Sequence, residues 1–164
     1  MRFHFEHNVP LPTERVFSFF ESPERIELLH AGWSKLRLLH CENRVRVGAE
    51  TWVELMIARC IPMVLGFRHC LFEPPFRFGE QAIHGPFSKF LHIQEFAAQN
   101  RGTVVRDLLE VSLPWHYGPE TIMRRLVAPG ITRMFHSRAV ALKRLVDAGT
   151  VERCVEQAGP RKER

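Results

Sequence analysis

FRFGEQAIHGPFSKFLHIQEFAAQNRGTVVRDLLEVSLPW, residues Phe76 to Trp115, reads as three antiparallel strands joined by two turns. Gly85-Pro86 and Asn100-Arg101-Gly102 supply the turn chemistry, glycine and asparagine for left-handed backbone and proline for a preset φ. With Asn100-Arg101 as the hairpin turn, Gln99 faces Gly102 and the later pairs follow. They are Phe96 with Val105, Glu95 with Arg106, Gln94 with Asp107, His92 with Leu109 and Phe90 with Val111. Side chains alternate faces along a strand, so apolar and charged pairs separate. Phe90, Phe96, Val105, Leu109 and Val111 define an inner face, and His92, Gln94 and Asp107 fall on it. Glu95 and Arg106 fall outside as a cross-strand ion pair.

The same counting across Gly85-Pro86-Phe87-Ser88 sets Ile83 opposite Phe90 and Gln81 opposite His92. Gln81, His92, Gln94 and Asp107 then cluster on an otherwise apolar face. A slip of one residue would turn each of them outward. A buried polar group without a partner costs roughly 1–3 kcal/mol, so these four must satisfy one another, meet water or meet a ligand. Three readings stay open. They form a satisfied core network that fixes strand register, or the polar end of a ligand pocket. In the third, His92 and Asp107 form a catalytic acid/base pair.

Outward from this stretch the pattern extends in both directions. Met1 to Val9 alternates with Phe3 and Phe5 on one side, which is a first strand. TERVFSFFES and PERIELLH read as two short helices, the second with proline at its first helical position. Period-two runs resume from Trp33, through a long strand within Val45 to Cys60, and again over Met63 to Phe72. After Pro119 a helix begins. Pro129-Gly130 is expected to kink or break it. From Ile131 to Val146 one apolar stripe continues, ending near Ala148-Gly149. Residues 150–164 read as a polar, flexible tail, leaving one domain over 1–149. The element order β-α-α-β6-α gives an α+β fold: a curved antiparallel sheet of about seven strands, wrapped around a long C-terminal helix.

That order resembles the helix-grip fold of the START/SRPBCC superfamily, over nearly the whole chain. Glu80-Gln81, Gly85-Pro86-Phe87, His92, Phe96, Gly102-Thr103, Asp107 and Leu113-Pro114 look like an uncharacterised bacterial ligand-binding group within it. Met134-Phe135 and Arg138 match that group's helix pattern. Phe90 stands where Trp is usual, Gln94 where a second His is usual, and Val111 where Tyr is usual. The resemblance implies a small hydrophobic or amphipathic ligand (lipid, polyketide or isoprenoid-like) in a cavity between sheet and C-terminal helix. The expected lining is Gln81, Phe90, His92, Gln94, Phe96, Asp107, Leu109, Phe135 and Arg138. A cyclase- or hydratase-type enzyme using His92 and Asp107 for proton transfer is the alternative. An interaction module without a ligand is the third possibility.

Composition narrows the classes. At 164 residues, with hydrophobic residues 45% and charged residues 25%, the chain suits one globular domain. Formal charge is +5, but Lys and Arg are spread along the chain and the one dense basic cluster is the tail Arg161 to Arg164. Nucleic acid is therefore not the expected partner. Cys41, Cys60, Cys70 and Cys154 form no C-x-x-C or His/Cys ligand spacing, so neither a metal nor another cofactor is expected. No apolar run reaches the roughly 20 residues of a membrane span, and no signal pattern opens the chain. A reducing cytoplasm is the expected setting. His69 and Cys70 are adjacent and must point to opposite faces. Glu54 shares a face with Trp52 and Met56, read as a solvated one. Arg138 reads as a salt-bridge partner within reach of an anionic head group.

Overall fold

The computed structural model describes residues 1–30, 36–57, 61–100 and 102–158. Trp33, Ser34, Cys60, Arg101 and the basic tail lie outside them. The chain runs β1 (Arg2–Val9), α1 (Thr13–Phe20), a 3-10 turn (Pro23–Arg25), α2 (Ile26–His30), β2 (Leu36–Cys41), β3 (Glu50–Ile57) and β4 (Ile61–Glu73). It continues through β5 (Arg77–His84), β6 (Lys89–Gln99), β7 (Gly102–Ser112), a second 3-10 turn (Trp115–Tyr117), α3 (Glu120–Asp147) and α4 (Thr150–Ala158).

All seven strands form one sheet, ordered β1-β7-β6-β5-β4-β3-β2, with antiparallel neighbours. β1 and β2 therefore sit at opposite edges, and α1 and α2 carry the chain between them. Bulges at Leu38/His40, Gly66/Phe67 and His69/Leu71 add local twist to the β2–β3 and β4–β5 pairs. Gly102 is required where β7 begins beside the end of β1: a Cβ there would lie 2.4 Å from the Val9 carbonyl oxygen.

Phenylalanine does most of the filling. Phe17 meets Phe78 and Phe96 edge-on, with centroids 6.0 and 5.3 Å away. Phe5 on β1 stacks on Phe135 of α3 at 4.5 Å. Each fully buried ring contributes about 1.5–3 kcal/mol by transfer from water.

The β6–β7 register runs as the hairpin turn predicts, from Gln99↔Gly102 through Gln94↔Asp107 to Phe90↔Val111. The β5–β6 register does not. Glu80, not Gln81, lies opposite His92, and Gln81 faces Leu91 with its side chain exposed. β5 leaves β6 after Gln81, and Ile83 is an extra residue between Ala82 and His84 in the pairing to β4. That bulge and the four-residue connection displace a count started from Gly85-Pro86. Arg106 also differs from expectation. It lies opposite Glu95, but its Nε donates to Glu6 Oε2 on β1 at 2.8 Å.

The C-terminal region departs from the sequence reading in two ways. α3 is one continuous helix through Pro129, which is exposed, so the missing N–H falls where water can meet the freed carbonyl. Residues 150–158 are not a flexible tail but a helix. Val151 is buried, and Cys154 and Val155 pack against the α1 cluster. Arg25 ties α4 down, its Nη2 donating to the Cys154 carbonyl at 2.7 Å and its Nη1 to the Ser18 carbonyl at 3.0 Å. The domain thus extends through Ala158.

Candidate functional site

Period-two alternation sends one residue in two of each strand toward the helices. Along the middle of the sheet several of these are polar. His7 on β1, Asp107 on β7, His92 and Gln94 on β6, Glu80 on β5, His69 on β4 and Thr51 on β3 form a belt across the inner face. Gln94 is 1% exposed, Asp107 2% and His92 4%, so water does not solvate this end of the belt.

Three bonds organise it. His92 Nδ1 meets Glu80 Oε1 at 3.1 Å, and His92 Nε2 meets Asp107 Oδ1 at 2.8 Å. Gln94 Nε2 donates to Asp107 Oδ1 at 3.0 Å. Burial alone would suppress the imidazolium, but the bonds to Asp107 and Glu80 outweigh it and hold the His92 pKa above the ordinary histidine value. Burial pushes both carboxyls up, and the His92 bond, with Arg138 adding to it, brings each net below its ordinary value. Each ring nitrogen of His92 faces a carboxylate oxygen, a geometry that an imidazolium donating to both would satisfy in full. Both ring nitrogens are occupied, so His92 has none left to take a proton from a substrate in this arrangement.

Asp107 also fixes the Gln94 amide. An ionised carboxylate only accepts, so the amide must present its nitrogen there and its oxygen elsewhere. Gln94 Oε1 is buried without a hydrogen-bond partner, as are His69 Nδ1 and His7 Nε2. Gln94 and His69 line a cavity of about 70 Å³, together with Thr51, Glu80, His92 and Arg138. Its apolar wall comes from α1 and α2 and includes Phe20, Ile26 and Leu29. The Arg138 guanidinium, from α3, sits over the Phe135 ring at 5.2 Å. No described carboxylate lies within ion-pair distance of it. His30 on α2 is buried, and desolvation with the nearby Arg138 charge lowers its pKa to about 4.

Of the nine residues expected from sequence, His92, Gln94 and Arg138 line the cavity, and Asp107 stands directly behind His92. Phe96 is packed into the apolar cluster around Phe17, while Phe90, Leu109 and Phe135 pack around Val111, so these four build core rather than the cavity wall. Gln81 is outside. Sequence reasoning missed Glu80, His69 and Thr51. His69 was legible, since it shares parity with Leu65 and Phe67, both buried, and opposes the exposed Cys70. Glu54 is on the outer face, 3.3 Å from Arg37.

No protein-family model matches the chain, and no curated protein matches it by sequence. Solved structures do match its shape. A protein from Thermus thermophilus superposes with a TM-score of 0.67 at 20% identity, covering 91% of this chain and 99% of the other. The major latex-like protein 151 from Panax ginseng gives 0.66 at 9% identity, covering 87% and 95%. Ara h 8.0201 gives 0.65 at 10% identity, covering 90% and 98%. With the seven-stranded sheet gripping α3, these likenesses identify the helix-grip fold. Among the described residues no helix is long and apolar enough to cross a membrane.

Proposed function

We propose that the domain binds a small amphipathic molecule whose polar group enters the cavity between the sheet and the helices. The observation that carries this reading is that Gln94 and His69, each with a buried polar atom left unpartnered (Oε1 and Nδ1), line a cavity that Arg138 also lines. Gln94 Oε1 asks for a donor, such as a hydroxyl. Arg138 offers charge-assisted hydrogen bonds to a carbonyl or carboxylate oxygen. A hydroxylated, carbonyl- or carboxylate-bearing apolar compound satisfies both, which is the chemistry of polyketides and oxygenated isoprenoids.

Size restricts how it enters. The cavity of about 70 Å³ is well below the roughly 300–1,000 Å³ of common ligand sites. It holds a head group, not a whole lipid. Binding a longer body requires the wall formed by Phe20 and the five-residue α2 to move outward. The protein acts here as a carrier or sensor. His92 serves by holding Glu80 and Asp107 in place.

Displacement of an apolar fluorescent dye by a panel of hydroxylated aromatic and isoprenoid acids, with native mass spectrometry of the gently purified protein, tests this. Phe20→Ala should tighten binding of the larger members, and Gln94→Leu should weaken binding of the hydroxylated ones. Dye that no member displaces, with Phe20→Ala equally inert, would refute the reading.

A further inference from the structure

We propose that the 3-10 turn at Trp115–Tyr117 and the first half of α3 form a docking face for anionic phospholipid surfaces. The proposal stands apart from the cavity, since none of these residues lines it.

Charge is the first observation. Between Glu120 and Asp147 the helix carries Arg124, Arg125, Arg133, Arg138, Lys143 and Arg144 and no acidic residue. Glu120 itself faces the N-terminal ammonium of Met1 at 3.1 Å. Arg124, Arg125 and Arg133 are exposed and line one open groove with Pro129, Thr132 and His136. None has an ion-pair partner among the described residues. In the first half of α3 the three arginines of this groove are the only charges past Glu120, and they complement a surface of negative charge.

Apolar exposure is the second. Trp115 is 89% exposed, Leu126 68%, Ile122 53% and Tyr117 47%. Trp115 lines a cleft with Glu120 and Met123, which places it beside the first turns of α3. Ile122, Leu126, Pro129 and Arg133 follow one another at three- and four-residue steps, and so share a face. Before Phe135 no α3 side chain is fully buried. The sheet therefore does not hold this half of the helix as it holds the second half.

The combination selects lipid over nucleic acid. Arginines would serve either polyanion. Ile122 and Leu126 gain nothing from a phosphate backbone, but they bury apolar area when a bilayer boundary receives them. Trp115 and Tyr117 suit the headgroup zone, one end of each ring system apolar and the other polar.

The test uses the full chain, with vesicles of phosphatidylcholine alone and of phosphatidylcholine mixed with phosphatidylglycerol. Co-sedimentation should be strong on mixed vesicles at low salt, absent on neutral ones, and progressively lost as salt screens the arginines. Arg124→Glu/Arg125→Glu should lower partitioning about tenfold or more. Trp115→Ala and Leu126→Ala should lower it several-fold while leaving the circular dichroism spectrum unchanged. Tryptophan emission should shift to the blue on mixed vesicles in the parent protein and not in Trp115→Phe. Equal partitioning onto both vesicle types, an unaffected Arg124→Glu/Arg125→Glu variant, or preferential capture of an oligonucleotide would overturn the proposal.

Discussion

On β5, β6 and β7 the chain Glu80–His92–Asp107–Gln94 closes nearly all its own hydrogen bonds. Across from Glu80 on β4, His69 leaves Nδ1 bare, and at the end of the chain the Gln94 oxygen is left without a partner too. Burial is equal in the two regions, His69 and His92 being 4% exposed alike, so solvent does not explain the contrast. Bonding geometry does. Glu80 and Asp107 each place a carboxylate oxygen against a ring nitrogen of His92, whereas Glu80, directly across from His69, turns its Oε1 to His92, and the His69 ring has the edge of Phe78 at 6.0 Å with Nδ1 unpartnered. A closed set of bonds stabilises a register. An open set leaves hydrogen-bonding capacity for something else.

The sharpest way to break this contrast is to remove one end of the closed chain. Asp107→Ala should cost about 3–5 kcal/mol, because it strands a buried imidazolium and frees the Gln94 amide. Urea denaturation measures it. A loss below about 1 kcal/mol would mean that the chain is not ionised inside the fold.

Two buried histidines next give opposite pH limbs. His30, with its pKa lowered to about 4, stays neutral when folded while the unfolded chain charges. Its stabilisation is full above the ordinary histidine value and falls away as pH drops toward 4, by up to about 3 kcal/mol. His92 is shifted upward, so its stabilisation is full below the ordinary value and is lost as pH rises through the folded pKa. Denaturation midpoints across pH should show both limbs. His30→Asn should flatten the acid side, and His92→Gln the alkaline side.

On the open side the effects shrink and change character. Gln94→Leu loses one bond to Asp107 but also removes an unpartnered oxygen, for a net cost of about 1–2 kcal/mol. His69→Phe should leave stability within about 1 kcal/mol of the parent, since no bond of Nδ1 is lost. Ligand affinity, by dye displacement, should fall about tenfold in each. If His69→Phe destabilises as much as Asp107→Ala, the two regions are one network and the contrast disappears. The smallest expected effect is at the surface. Arg106→Ala, which breaks the exposed pair with Glu6, should leave the urea midpoint unchanged within error.

Legibility in the sequence followed the same divide. β6 and β7 are joined by a tight turn at Asn100, whose φ is +52, and the alternation on both strands is clean, so every pair from Gln99 to Phe90 can be counted. That count alone brings His92, Gln94 and Asp107 together. It fails one strand further on, because a bulge at Ile83 inserts a residue that no composition signal marks, and Glu80 takes the place expected for Gln81. The α4 helix does carry a signal: Val151, Cys154 and Val155 stand at helical spacing. So does the run of cations on α3, which a count over the whole chain dilutes.

The sequence by itself determined the order of the seven strands and the first three helices, the fold class and the register of the hairpin, because periodicity and turn chemistry act between near neighbours. The tertiary structure alone decided which imidazole is paired and which is bare, and how much space the phenylalanines leave. It also decided which half of α3 faces the sheet. Those outcomes depend on distances between strands far apart in the chain, and on bulges that shift a register by one residue. No local pattern carries that information.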